Sequence, residues 1–467
     1  MKIAIAAFNI EKATNSQYYN SQQEGLGKAL ARLGYDVHVY HFVDASEKPS
    51  TTSTSFRTQE DNDSTHSNYS LPTKKSHPQQ NDISSQNDSA FGNNRLGGYT
   101  FTSSIIPCER RGVHAMPDNS VWDADTDLLI AFSDKSTGFP KTYKFMKSKG
   151  IPVIPYIGVL RSHNPSAIKR FISDLTSSNM KYYKKIAANP NTPIIAKTPA
   201  LADELAARGI SNLVTIPVGL DEDLLKKDYA DYDKNELRKE FFANIETPDT
   251  ATSRENIASP STDQSLIQPN TRILLYIGRL TAEKQPLTLL EIFRTLLNDA
   301  SKKSEEHSDT NSSNTGNINT HNYHLIMIGK GELQPQIDAF LSENPTVKEH
   351  VTLIPSYPNQ NIWKLFRMSD IFINLNQQEI FGMALLESMY YECPVVAFHA
   401  PGPDSILGPV SPRMLCDHSS EIVEKIQTYP YGTEKATEKL STAHEYIIIN
   451  YLWTSSAYAI NQLLQMH

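Results

Sequence analysis

The chain has 467 residues, 39% hydrophobic and 21% charged, with a formal net charge of −8 and a mean hydropathy of −0.44. That length suits two or three domains with sizeable cores. No apolar run approaches the ~20 residues of a membrane-spanning helix, and the acidic balance argues against general nucleic-acid binding. Three cysteines, Cys108, Cys393 and Cys416, are too few and too scattered for a disulfide framework or a zinc site. The opening MKIAIAAF is too short for the apolar core of a signal peptide and reads as a first strand. Without a secretion signal the Asn-x-Ser/Thr sequons carry no weight, and the expected location is the cytoplasm.

Three stretches are too polar to fold on their own. Residues 46–94 hold only Phe56, Tyr69, Leu71, Ile83 and Phe91 as large apolar side chains, and 246–270 and 300–322 are alike. Such segments bury too little apolar surface to offset their ordering entropy, so they are expected as disordered insertions. About 370 residues remain for ordered structure.

In chain order, residues 2–8 read as a strand and 16–33 as a helix closed by Gly34, followed by a strand at 36–42. Short apolar strands follow at 99–106, 127–132, 152–159, 193–196 and 214–217, with a helix over 199–208. A charged helical connector at 233–242 precedes a second series. Its strands are 273–277, 324–328, 351–354, 371–375 and 394–398, and its helices 286–297, 361–368 and 382–392. Residues 441–465 form a last helical segment rich in aliphatics around Trp453. Strands alternating with helices predict an α/β protein of two Rossmann-like domains. A ligand cleft is expected outside the carboxyl ends of the strands.

Charge is unevenly spread. Between residues 131 and 200 twelve lysines and arginines face only two acids, Asp134 and Asp174. The segment is either a solvated lysine-rich surface or a patch for an anionic membrane or phosphate-bearing acceptor. Tyr182 and Tyr183, inside Lys-Tyr-Tyr-Lys-Lys, add aromatic rings suited to an interface.

Chemistry concentrates in the second series. Gly278, after the strand ILLYIG, opens a loop carrying Arg279 and Lys284 before Pro286 starts a helix. A planar bidentate donor and a point charge in one loop suit a diphosphate. Further on, Glu379-Ile-Phe-Gly-Met-Ala-Leu-Leu-Glu387 places one carboxylate before a helix opened by Gly382 and another inside it. The helix amino end offers free N–H groups to an anion. Glu379 can bond a neutral polyol there, and Glu387 can accept from two ribose hydroxyls.

Together and in order, these pieces resemble the retaining GT-B glycosyltransferases of the family-4 type. YIGRLTAEKQP is similar to that family's donor-phosphate loop, LIMIGKGEL to its glycine turn, and EIFGMALLESMYYECPVVA to its paired-glutamate element. IPVGLD at 216–221 resembles the segment closing the amino-terminal domain, and YLWTSSAYAINQLL resembles the return helix. The resemblance implies an amino-terminal acceptor domain over 1–222, a donor domain over 223–440, and residues 441–467 packing back on the first. It implies that Arg279 and Lys284 hold the donor diphosphate, Glu387 the ribose and Glu379 the transferred sugar. Gly278, Phe381, Gly382 and Met383 would supply close backbone, and His163 would stand where the family often places an active-site histidine.

Two departures stand out. The first loop, residues 9–16, lacks the family's paired glycines, and Ala400-Pro401-Gly402-Pro403-Asp404 replaces its later glycine pair. Gly25-Leu-Gly27-Lys28 lies in a helical pattern and lacks P-loop spacing. Asp123, Asp125 and Asp127 superficially form Asp-x-Asp pairs but read as surface carboxylates, so no metal and no cofactor beyond the nucleotide-sugar donor is expected. The expected partners are a nucleotide-sugar and a glycan or lipid-linked acceptor, with peripheral attachment to the inner face of the cell membrane through 131–200. A soluble protein or metabolite acceptor, and a catalytically silent binding or regulatory module, remain the alternatives.

Overall fold

The computed structural model describes residues 1–10, 22–46, 54–56, 100–134, 136–160, 179–246, 270–308 and 322–466. The first unit runs β1 (Lys2–Ala7), α1 (Gln22–Arg32), β2 (Asp36–Asp44), β3 (Thr54–Phe56), β4 (Phe101–Arg111), β5 (His114–Met116) and β6 (Leu128–Phe132). It continues through α2 (Phe139–Ser148), β7 (Val153–Ile157), α3 (Met180–Ala187), β8 (Ile194–Ala196), α4 (Pro199–Ala207) and β9 (Leu213–Thr215). A connector, α5 (Lys234–Glu246), leads to β10 (Arg272–Ile277), α6 (Pro286–Ser308), β11 (Tyr323–Ile328), α7 (Gln334–Glu343), α8 (Pro345–Glu349) and β12 (Val351–Ile354). Then come α9 (Ile362–Met368), β13 (Ile371–Asn374), α10 (Met383–Tyr390), β14 (Val395–Phe398), α11 (Pro401–Leu407), β15 (Leu415–Cys416) and α12 (Ser419–Thr428). Two helices, α13 (Glu434–Asn450) and α14 (Trp453–Gln465), end the described chain.

The first sheet has the order β3-β4-β2-β1-β6-β7-β8-β9, with β5 hairpinned onto β4. Apart from the antiparallel β3–β4 and β4–β5 pairs its strands are parallel. The second sheet, β12-β11-β10-β13-β14-β15, is parallel throughout. Alternation along each strand sorts side chains to two faces. Ile3 and Ile5 of β1 pack under α1 and α14, while Ala4 and Ala6 face the side covered by α2, α3 and α4. In β10, Ile273 and Leu275 join Phe241, Phe366 and Leu386, whereas Leu274 and Tyr276 join Leu289, Phe293 and Ile337. Both sheets are therefore covered on both faces, as parallel sheets require.

The stretches expected to be unstructured lie for the most part outside the described residues. Where they are described, they carry more order than composition implies. β3 pairs with β4 through Phe56 opposite Phe101, and α6 runs on to Ser308, past the expected end at 297. The expected single helix over 441–465 is a second correction, because the chain turns at Tyr451–Leu452. Ile447 and Tyr451 belong to the second unit's core, and Trp453, Ala457 and Ile460 to the first unit's. One straight helix cannot bury both sets, so Leu452 is extended, with φ −94° and ψ 153°.

Gly25 and Gly27 are packing residues. A Cβ at Gly25 would lie 2.2 Å from the Trp453 indole, and one at Gly27 2.7 Å from Val39. Each glycine costs a helix interior about 1 kcal/mol. The close fit of the fully buried Trp453 offsets that cost.

Candidate donor-binding cleft

The order of the second sheet reverses between β10 and β13, so a crevice opens outside their carboxyl ends. The loops after these strands carry Arg279, Lys284 and Glu379. Gln285 fixes their spacing: it adopts a left-handed conformation at φ 53° and donates its side-chain amide to the Leu375 carbonyl at 2.7 Å. Glycines lock the neighbouring loop in place. A Cβ on Gly329 would meet the Gly278 carbonyl oxygen at 1.9 Å, and one on Gly331 the Leu280 oxygen at 2.4 Å. With these contacts the Leu280 amide donates to the Lys330 carbonyl at 3.1 Å.

Lys284 and Glu379 meet in the crevice, where the Lys284 ammonium donates to Glu379 Oε2 at 2.6 Å. Both side chains are largely buried, at 24% and 16% exposed. Asn376 donates to the same carboxylate oxygen at 3.2 Å. Lys284 and Glu379 line a cavity of about 200 Å³ together with Asn374, Gly382, Met383 and Ala384. Gly382 enters α10 at φ +97°, and the amino end of that helix, where backbone N–H groups lack intrahelical partners, lines the cavity through Met383 and Ala384. Gly402 closes the far side, donating its amide to the Glu379 carbonyl at 2.8 Å. A Cβ on Gly402 would meet the Phe381 carbonyl oxygen at 2.3 Å, so the segment replacing a glycine pair keeps the one glycine that this approach demands.

Two expected residues stand apart. Arg279 is 70% exposed and its guanidinium turns to Glu283 in an ion pair on the outer side of the loop. Glu387 is buried, 5% exposed, and is not part of the cavity lining. Phe381 and Met383 pack against cores of both units, which sets this cavity at their junction.

Residues 260–436, which contain all of these groups, match the model of the family described as glycosyl transferases group 1. Among solved structures, sucrose-phosphate synthase from Thermosynechococcus elongatus is 14% identical, with a TM-score of 0.61 and cover of 100% of this chain and 98% of its own. The Anabaena protein HepE, solved in complex with UDP-glucose, is 13% identical over 100% of both chains, with a TM-score of 0.59. The α,α-trehalose 6-phosphate synthase from Burkholderia multivorans is 10% identical, with a TM-score of 0.57 and cover of 100% and 98%. A search of curated protein sequences gives no significant match.

The fold is GT-B. On the first unit's side, Phe132 of β6 and Tyr156 of β7 belong to the cluster against which Phe381 and Met383 pack. His163 and most of the first loop lie outside the described residues, but the platform for the loop after β7 is well defined. Asp134 accepts from the amides of Gly158 at 2.6 Å and Val159 at 3.2 Å. Asn179 donates to the Ser133, Asp134 and Ser136 carbonyls. Beside it Lys197 lies over the Phe132 and Tyr156 rings and donates to Gln22 at 2.9 Å. Burial pushes its ammonium pKa down, with Asp134 opposing. At the end of β1, Asn9 pairs with His114 of the β4–β5 hairpin in an antiparallel bridge. Sequence reading missed Asn376, Asp134 and Lys197, each a single polar residue after a strand with no motif to mark it. The two-residue Gly112–Val113 turn was a legible hairpin signal.

Asp123, Asp125 and Asp127 sit at the opposite, amino-terminal edge of the first sheet. Lys2 bonds all three, through Nζ to Asp123 and Asp125 at 2.9 Å and through its amide to Asp127 at 2.7 Å. His38 lies 2.8 Å from Asp123. Among the described residues no cluster of three or more His, Cys, Asp or Glu is arranged to hold a metal.

Proposed function

We propose that the protein is a retaining glycosyltransferase that moves a sugar from a nucleotide-diphospho-sugar to an acceptor hydroxyl. The observation that carries this reading is the Lys284–Glu379 pair at the sheet's switch point beside the amino end of α10. An incoming diphosphate competes with Glu379 for Lys284 and draws Arg279 from Glu283. Glu379, so released, bonds the hydroxyls of the transferred sugar. The cations and the helix end then stabilise the departing diphosphate, the step such preorganised charges serve. The acceptor attacks from the face the leaving group vacates, keeping the anomeric configuration.

The test is binding of UDP, GDP and ADP to the wild type and to the Arg279→Ala/Lys284→Ala double variant. One nucleotide should bind tightly and lose its affinity in the variant. Turnover should fall at least a hundredfold for either single substitution, since one such donor is worth about 2.7–4 kcal/mol. Proton NMR of the product should show the donor's anomeric configuration. Absence of nucleotide binding would favour the catalytically silent module.

For the acceptor we infer a membrane-associated saccharide or lipid-linked glycan. Lys141, Lys144, Lys147 and Lys149 on and after α2, and Lys181, Lys184 and Lys185 on α3, are all exposed. The two helices pack through Tyr143 and Tyr182, whose ring centroids are 5.4 Å apart, so the lysines share one side of the molecule. Tyr182 and Tyr183 are themselves buried, 6% and 1% exposed, and contribute no interfacial rings, contrary to the expectation from sequence. Each basic group near an anionic bilayer is worth roughly 1 kcal/mol. The protein should sediment with phosphatidylserine vesicles at low salt and not with neutral ones; no binding would favour a soluble acceptor. Among the described residues no helix is long and apolar enough to cross a membrane.

A further inference from the structure

A second and larger cavity lies at the other end of the donor domain, against the amino-terminal edge of β14. Its volume is about 600 Å³, within the range of sites that take small organic ligands. The floor is apolar and deeply buried: Met389, Val395, Leu407 and Ala443 are each at most 4% exposed. Four cations join the lining, Arg413, Lys425, Lys435 and Lys439, and among the described residues no carboxylate belongs to it. On α13 the residues that reach the cavity are Lys435, Ala436, Lys439, Leu440 and Ala443, which is one helical face. Glu434 and Glu438 of the same helix are not part of the lining. Arg413, Lys435 and Lys439 make no ion pair among the described residues. Lys425, the fourth, pairs with Glu424 at 3.8 Å.

An apolar pocket whose wall keeps three cations free of ion pairs among the described residues has the two halves of an amphiphile receptor. The floor excludes water around a hydrocarbon chain, and the rim selects an anion. An arginine fork with several ammonium groups matches a phosphate better than a singly charged carboxylate. We propose that this cavity binds a lipid monophosphate, its chain against Met389, Val395 and Leu407 and its head between Arg413 and the α13 lysines. The site is remote from the Lys284–Glu379 cleft and does not depend on the chemistry proposed there. α13 forms one wall and leads directly into the crossing back to the first domain, so an occupant would rest against the element that joins the two halves.

The test is calorimetric titration of the full chain with dodecyl phosphate, dodecyl maltoside and inorganic phosphate, each dodecyl probe below its micellar concentration. Dodecyl phosphate should bind at least tenfold more tightly than either of the others. The Lys435→Glu/Lys439→Glu variant changes only exposed residues and should keep the wild-type melting temperature while losing at least tenfold in affinity. Val410→Trp, which fills the cavity from its rim, should abolish binding. Equal affinity for the two dodecyl probes would point to an apolar partner and overturn the proposal. Undiminished affinity in the charge-reversed variant, or no binding of dodecyl phosphate, would overturn it as well.

Discussion

Gly402 holds two backbone segments together by having no side chain. Its amide bonds the Glu379 carbonyl, and its Cα lies so close to Phe381 that any Cβ would meet the Phe381 oxygen at 2.3 Å. Gly402→Ala should push the 379–381 loop outward and turn Glu379 away from Lys284. Overpacking of this kind costs about 1–3 kcal/mol. With the loop displaced, kcat/KM should drop at least tenfold and melting temperature by a few degrees, read from steady-state kinetics and a thermal scan. Lys284 and Glu379 were legible in the sequence because each is a charged residue just past an apolar strand, in an order that few folds share. Asn376 was not, since an asparagine in a polar loop has no pattern to distinguish it. The turn of Arg279 toward Glu283 was equally hidden, because spacing places a side chain on a loop without saying which way it leans.

Asp370 precedes β13 and anchors α5 to the second sheet. It is 5% exposed and accepts from Arg238 at 2.6 Å, Lys234 at 2.8 Å and the Ile273 amide at 2.7 Å. Burial alone would raise its pKa, but the charges of Lys234 and Arg238 and the hydrogen bonds hold it below the ordinary carboxylate range. A carboxyl depressed in the folded state contributes stability that is present above its unfolded pKa, near 3.9, and is lost as pH falls through the folded value. Urea denaturation of the wild type should therefore show stability falling from about pH 4 downward. Asp370→Ala should lower it by about 3–5 kcal/mol at pH 7, since it leaves the buried Arg238 guanidinium without its carboxylate, and should flatten that acid dependence. Element by element the sequence was a good guide, because the apolar periods of 2 and 3.6 are local. Asp370 was invisible for the opposite reason: Arg238 lies 132 residues away, and no window contains both.

The two Rossmann-like units and their order were readable from alternating strands and helices. The place where the chain returns was not, because aliphatic and aromatic residues recur all along 441–465 and only packing decides which core each turn joins. The return occurs beside the outward crossing. Leu220 donates its amide to the Tyr451 carbonyl at 2.7 Å and accepts from the Trp453 amide at 3.1 Å, and Gly219 lets the two backbones touch. A Cβ on Gly219 would lie 2.3 Å from the Trp453 nitrogen and 2.4 Å from the Leu452 carbonyl carbon. Gly219→Val should force the crossings apart, costing about 1–3 kcal/mol, with roughly 2–4 °C of melting temperature lost for each. The Leu220 amide should then exchange with deuterium faster than neighbouring core amides.

Two rigid bodies joined at well-separated points are held immobile, and joined by one free strand they tumble. Here the two strands that cross between the domains are fastened to each other at Leu220 and Leu452, so both attachments fall on one short line. Rotation about that line strains neither strand, whereas sliding or twisting across it breaks the Leu220 hydrogen bonds. What resists that rotation is packing: Phe381 and Met383, next to the Lys284–Glu379 pair, are set against the cores of both units.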